Sequence, residues 1–181
     1  MARVVALLRG INVGGRHKVP MADLRAVVES IGLTEIQTYI QSGNVVATDP
    51  QECTTDSLRQ LLETAIQDEF GFPVPVVMVS AGRFRDILAD CPWPAVEDPR
   101  CVHAIFYPAA IPTPMLQQAL DLVRSDDTDQ VSADHDVVWL HTPAGLSTSR
   151  MAERLMRLTL PDGRRGTARN LRSLREITAR L

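Results

Sequence analysis

A glycine-rich, positively charged segment near the N-terminus carries the residue types best suited to chemistry in this chain. Gly10, Gly14 and Gly15 fall within six residues, and Arg9 and Lys18 flank them. Glycine adopts positive φ readily, so the backbone N–H groups of such a loop can turn towards a bound group, and the basic side chains add positive charge. The segment therefore predicts binding of an anionic or strongly polar ligand. A tight strand-to-helix connection, with glycine used only for turning, is the alternative interpretation.

A second polar segment, Gln41-Ser42-Gly43-Asn44, separates two apolar runs. Glycine and asparagine are typical of a hairpin turn, which is one interpretation of this segment. The side chains of Gln41, Ser42 and Asn44 also offer neutral hydrogen bonds, and Gly43 would let a ligand approach the backbone. The sequence leaves both interpretations open.

The elements that must position these segments follow a regular order. Hydrophobic spacing and turn residues predict strands at residues 4–8, 36–40, 45–48 and 74–79, with helices from Pro20 to Gly32 and from Thr54 or Thr55 to Gly71. Pro75 lacks a ladder donor, which places the fourth strand at a sheet edge. The order β-α-β-β-α-β is the ferredoxin-like split motif, in which the first two strands run parallel with the third between them.

A second round of elements follows a proline-rich stretch. Strands are predicted at residues 102–107, 130–132 and 137–141, with helices from Thr113 through Val123, from Ser149, and after Asn170. The fold class is therefore α+β, with two ferredoxin-like units of βαββα type, antiparallel sheets and helices packed on one face. The predicted division is residues 1–79, a helix and proline-rich linker at 80–100, and a second unit at 101–181 that ends in a helix.

This topology predicts where the two polar segments meet. The C-terminal ends of two parallel strands lie at the same edge of a sheet, so the loop at residues 9–18 should lie beside the turn at residues 41–44. The candidate ligand-binding residues of this edge are Arg9, Gly10, Asn12, Gly14, Gly15, Lys18, Gln41, Ser42, Gly43 and Asn44.

Two long motifs carry a family resemblance. Leu8-Arg9-Gly10-Ile11-Asn12-Val13-Gly14-Gly15 and Thr38-Tyr39-Ile40-Gln41-Ser42-Gly43-Asn44-Val45-Val46 closely resemble the bacterial family catalogued as domain of unknown function 1697. The resemblance implies an α+β protein with ferredoxin-like units and brings no established activity. Thr167, Arg169 and Asn170 resemble the family's C-terminal motif and join the candidate ligand-binding residues. Asn170 by itself is typical of a helix cap. Ala47 and Leu171 stand where the family pattern often has aromatic residues, so any aromatic contribution to a ligand is missing here.

Composition narrows the function classes. With 181 residues, 45% hydrophobic residues and a net charge of −3, the chain should form a folded, soluble protein without overall attraction to nucleic acid or anionic lipid. Its three cysteines show no zinc-binding spacing, and no apolar run is long enough to span a membrane. These features predict a cytoplasmic protein with reduced thiols and no metal site; they do not identify a cofactor.

Two other functions compete with small-ligand binding. Nucleic acid could associate with the arginines near the C-terminus, which are Arg164, Arg165, Arg169, Arg172, Arg175 and Arg180. Only eight residues in the chain are aromatic, so stacking of bases on aromatic side chains is poorly supported. An edge strand or apolar surface near Trp93 could instead mediate protein interaction or self-association.

The sequence gives little support for a reaction centre. Cys101, His103 and His141 suggest a nucleophile or a metal ligand set, but buried packing is the favoured interpretation. Dinucleotide, P-loop and hydrolase motifs are missing from the sequence, so no catalytic residue is assigned and the question of enzymatic activity stays open.

Overall fold

A computed structural model of the chain describes residues 1–121 and 128–181. Two compact units divide it: the first comprises Met1–Asp86 together with Glu176–Leu181, and the second comprises Ile87–Arg175. Within the described ranges, no helix is both long and apolar enough to cross a membrane.

The first unit is a four-stranded antiparallel sheet with helices on one face. Its strands pair in the order β2-β3-β1-β4, which confirms the predicted β-α-β-β-α-β arrangement and the edge position of the fourth strand. The elements are β1 (Ala2–Leu8), α1 (Met21–Ser30), β2 (Thr34–Tyr39), β3 (Asn44–Asp49), α2 (Thr55–Phe70) and β4 (Val76–Ser80). The next helix, α3 (Ala81–Ala89), contains the boundary between Asp86 and Ile87. Pro75 immediately precedes β4, where its missing donor costs the ladder nothing.

From Val4 to Leu8, the side chains of the central strand β1 are buried whichever way they point. Val4, Ala6 and Leu8 belong to the core that α1 and α2 cover. Val5 and Leu7 point to the opposite face because successive side chains alternate along a strand, yet both are 0% exposed. The side chains of β1 from Val4 to Leu8 are thus all buried, and this strand offers no exposed side chain on which a base could stack as in an RNA-recognition module.

The second unit repeats the topology. Its elements are β5 (Val102–Phe106), α4 (Thr113–Leu120), β6 (Gln130–Asp134), β7 (Val137–His141), a 3₁₀ turn (Leu146–Thr148), α5 (Arg150–Arg157) and β8 (Thr167–Asn170). The last helix, α6 (Leu171–Thr178), contains the boundary between Arg175 and Glu176. The strand order is β6-β7-β5-β8, which is antiparallel throughout. The unit is therefore a complete β-α-β-β-α-β motif, and the βαββα description from the sequence lacked its fourth strand. Val123, predicted to extend α4, lies outside the described residues.

Candidate functional site

The glycine-rich segment folds as a small β-hairpin. The Asn12 amide donates to the His17 carbonyl at 3.0 Å, and the Arg16 amide donates to the Val13 carbonyl at 3.1 Å. Gly14 and Gly15 occupy the two central positions with φ of 59° and 74°. Positive φ at both positions is the signature of a type I′ turn, which glycine adopts at little cost. Turn geometry thus accounts for both glycines, while the exposed hairpin tip displays the side chains beside them.

Asn12 joins this hairpin to the turn between β2 and β3. Its Nδ2 donates to the Gln41 carbonyl at 2.8 Å and to the Val19 carbonyl at 3.0 Å, and its Oδ1 accepts from the Val19 amide at 2.9 Å. The residue has φ of 55°, a conformation that asparagine tolerates better than most residues. The two polar segments therefore lie side by side, at the sheet edge where the topology predicts them to meet.

The turn between β2 and β3 is closed by buried groups. The Gly43 carbonyl accepts from the Leu8 amide at 2.8 Å. Asn44 is 0% exposed, and its Nδ2 donates to the Tyr39 carbonyl and to the Ser42 Oγ, both at 3.0 Å. Asn44 and Gly43 therefore maintain the shape of the turn, and Gln41 is its exposed polar side chain.

Three basic side chains lie exposed on the hairpin: Arg16, His17 and Lys18. The His17 ring stacks on Phe72, with ring centroids 4.6 Å apart and planes at 23°. Arg9 is half-buried, and its amide donates to the Pro75 carbonyl at 2.9 Å. The sequence pattern did not single out His17 as a candidate, because its aromatic partner is distant in the chain and no local spacing signals the stack. Gly10 is exposed, with φ of 75°.

The C-terminal motif forms β8 of the second unit. Arg169 is buried, and its Nη1 donates to the Thr167 Oγ1 and to the Ala168 carbonyl, both at 2.8 Å. Burial lowers the pKa of Arg169 to about 10, so the guanidinium stays charged at neutral pH. The Asn170 Oδ1 accepts from the Ser173 amide at 2.8 Å, which confirms that Asn170 caps the last helix.

The register of β5 and β7 separates the residues of the suggested cysteine–histidine centre. Val102 pairs with His141, so those two side chains share one face of the sheet. Cys101 and His103 alternate with Val102 and face the other side. β7 is the neighbour of β5, as the ferredoxin-like order predicts, but the register places His141 on the opposite face of the sheet from Cys101 and His103. The His141 ring packs instead near Trp93, with centroids 5.7 Å apart, and its Nδ1 lies 3.1 Å from the Gln130 Oε1.

His103 should make the stability of the protein depend on pH. Burial lowers the pKa of His103 from 6.5 to about 4. Above pH 6.5 the His103 imidazole is neutral in both the folded and the unfolded chain. As the pH falls below 6.5, the imidazole becomes protonated in the unfolded chain but stays neutral in the folded chain. The free energy of unfolding should therefore fall by up to about 2 kcal/mol between neutral pH and about pH 5 from this group alone.

Urea titrations at several pH values measure this loss. His103→Gln should reduce it, whereas His135→Gln, which changes an exposed histidine, should leave it in place. Equal pH profiles for the His103→Gln variant and the unmodified protein would contradict the assignment.

Residues 1–139 of the chain match a known protein family. A family model described as "Protein of unknown function (DUF1697)" matches residues 1–139. The chain belongs to this family. The family's N-terminal motifs fall within the match, and the Thr167 to Asn170 motif lies beyond it.

A solved structure supports the fold over the whole chain. It is described as that of the conserved bacterial protein SP0830 from Streptococcus pneumoniae, and it is similar to this DUF1697 protein with a TM-score of 0.77 and 25% sequence identity. The similarity covers 99% of this chain and 98% of the pneumococcal one. None of the curated proteins compared with the chain is similar to it.

Proposed function

We propose that the first unit binds a small anionic ligand on the surface formed by residues 12–18 and Gln41, here named the hairpin surface. The observation that carries the proposal is the Asn12 side chain, which forms two hydrogen bonds with Val19 across the base of the hairpin and a third to the Gln41 carbonyl of the β2–β3 turn. A surface held in this way loses little conformational entropy when a ligand binds to it. The family has no established activity, and the proposal is one of binding without an assigned reaction.

The charges of the hairpin surface favour a phosphate or carboxylate group. Arg16 and Lys18 are exposed, and neither forms an ion pair within the described ranges 1–121 and 128–181. His17 lies between them in sequence, with its ring already positioned against Phe72. Cations without a protein counterion on a rigid turn are suited to charge-assisted hydrogen bonds from an anion. The exposed Gln41 side chain supplies a neutral donor and acceptor at the rim.

Nucleic-acid association through the C-terminal arginines receives less support. Arg164 pairs with Asp162 at 2.6 Å, the Arg165 Nε donates to the Thr159 Oγ1 at 2.9 Å, and Arg175 donates to the Pro94 carbonyl at 2.7 Å. Contacts within the protein thus explain several members of the basic cluster. Self-association through Trp93 is not favoured either, because this ring is half-buried beside His141.

A thermal-shift screen with defined anions tests the proposal. The probes are inorganic phosphate, hexose phosphates, nucleoside monophosphates and tricarboxylates, since a ligand that binds only the folded state raises Tm. For the anion that gives the largest shift, Arg16→Ala and Lys18→Ala should each weaken the affinity about tenfold, as loss of a hydrogen bond from a charged group predicts.

The matched control for these variants is Arg172→Ala, which removes an exposed arginine of the second unit. It should leave the affinity unchanged. A panel without any Tm shift, or an affinity indifferent to both hairpin substitutions, would overturn the proposal.

A further inference from the structure

The second unit contains an open cleft that lies apart in sequence from the hairpin surface. Its volume is about 620 Å³, which is in the range of small-molecule sites. Its lining comes from Arg100, from His103 of β5, and from the segment that contains the 3₁₀ turn and α5. Leu146, Ala152 and Met156 of this segment supply apolar lining. The cleft thus offers an apolar surface to part of a ligand and polar groups to the rest.

His103 is the polar group of the cleft with the least ordinary environment. Its Nδ1 is enclosed and has no hydrogen-bond partner among the described residues. Enclosing an N–H without an acceptor is more costly than enclosing a lone pair, so the lone pair resides on Nδ1 and the proton on Nε2. Because burial lowers its pKa to about 4, the ring is neutral at physiological pH. His103 therefore acts as a neutral donor in the wall of the cleft.

Arg100 and Glu153 line the same cleft, and each has one polar atom available for a ligand. The Nε and Nη2 of Arg100 donate to the Asp98 carboxylate at 3.0 Å and 2.9 Å, while its Nη1 has no partner among the described residues. The Glu153 Oε1 pairs with Arg157 at 2.7 Å, and its other oxygen remains available. Since both charges are compensated and His103 is neutral, the cleft has no net charge to attract a simple anion or cation.

We propose that this cleft binds a free α-amino acid with an apolar side chain. The ligand carboxylate accepts from the Arg100 Nη1 and from the His103 Nε2, its ammonium group donates to Glu153 and to the exposed Ser147 hydroxyl, and its side chain covers Leu146 and Met156. A zwitterion matches a lining that contains one cation and one anion better than a singly charged ligand does. This site is independent of the hairpin surface, so either proposal can fail alone.

Calorimetric titration with L-leucine, L-methionine and L-phenylalanine tests the assignment. At least one of these amino acids should bind at millimolar concentration or below, and it should shift the imidazole NMR signals of His103. Those signals are assigned by their loss in His103→Gln. Two derivatives, the amide and the N-acetyl form, remove the carboxylate and ammonium charges separately.

Exposed rim residues provide variants that keep the fold. Arg100→Gln should weaken binding of the free amino acid and of its N-acetyl form about tenfold, and leave the amide unaffected. Glu153→Gln should weaken the free amino acid and the amide by a similar factor, and leave the N-acetyl form unaffected. Arg150→Gln and Glu97→Gln, which change exposed residues of the same unit that do not line the cleft, are the matched controls.

Three outcomes would overturn the proposal. The first is the lack of binding by all three amino acids at millimolar concentration. The second is binding that neither rim substitution changes. The third is binding of nucleosides in place of amino acids, since a nucleoside carries no zwitterion for Arg100 and Glu153 to recognise.

Discussion

Gly43→Ala is expected to lower the free energy of unfolding by about 2–5 kcal/mol, as the sum of backbone strain and overpacking. Gly43 has φ of 75°, where a side chain is strained. A Cβ at this position would lie 2.6 Å from the Leu8 Cβ and 2.8 Å from the Ile11 Cδ1. Both neighbours are buried core residues, and the Leu8 Cβ is fixed to the backbone of the central strand β1. Movement of a flexible side-chain end cannot relieve that contact.

Gly14→Ala is the matched control for this substitution. Gly14 also has positive φ, at 59°, but a Cβ there would have no heavy atom within 4 Å. Gly14→Ala should therefore lower the free energy of unfolding only through the backbone strain of a side chain at positive φ, by about 1–2 kcal/mol. Urea-induced unfolding of the two variants separates the contributions. Similar losses for both would mean that close packing against Leu8 and Ile11 does not determine the residue at position 43.

The first unit was predictable because its elements carry strong local signals. The apolar run at residues 4–8, the spacing in α1 and the Thr54 and Gly71 caps each specify an element, and their order leaves few topologies. The Thr54 Oγ1 accepts from the Ser57 amide, and Gly71 ends α2 with φ of 77°. Because the local patterns agree with one another, the element order alone predicted the strand order.

The fourth strand of the second unit was missed because its signal is not local. β8 has the sequence Thr-Ala-Arg-Asn, which lacks the apolar alternation of a half-buried strand. It is formed by pairing with residues 103–106 of β5, more than sixty residues earlier in the chain. A buried arginine within it is satisfied in part by the neighbouring Thr167 hydroxyl, a solution that hydrophobicity patterns do not reveal.

The candidate site was predictable in position and less so in the roles of its residues. Topology places the hairpin and the turn side by side, and the Asn12 contact with Gln41 agrees with it. Glycines that suggested a cradle for an anion instead form a type I′ turn, and Asn44 is buried. Residue type alone does not distinguish a polar group facing a ligand from one that completes a turn, since both uses favour glycine and asparagine.

Asn12→Asp should lower the free energy of unfolding by about 2–4 kcal/mol at neutral pH, because two donated hydrogen bonds are lost and a carboxylate oxygen is placed against two carbonyls. The substitution nearly preserves shape, and the remaining oxygen can still accept from the Val19 amide. The carbonyl oxygens of Gln41 and Val19, at 2.8 Å and 3.0 Å from the present Nδ2, would repel the introduced charge. Protonation removes that charge and restores a donor, so the deficit relative to the unmodified protein should shrink as the pH falls towards about 4.

Asn12→Ala provides the comparison that separates charge from lost hydrogen bonds. It removes all three bonds without adding charge, so its deficit should not vary with pH. Urea titrations of both variants and the unmodified protein at neutral pH and near pH 4 give the difference. A deficit of Asn12→Asp that does not depend on pH would show that the repulsion from the two carbonyls is absent.

If the hairpin surface binds an anion, Asn12→Asp should also weaken that binding more than Gly14→Ala does. It frees the hairpin from the β2–β3 turn and adds negative charge, whereas Gly14→Ala leaves the connection between the two segments intact.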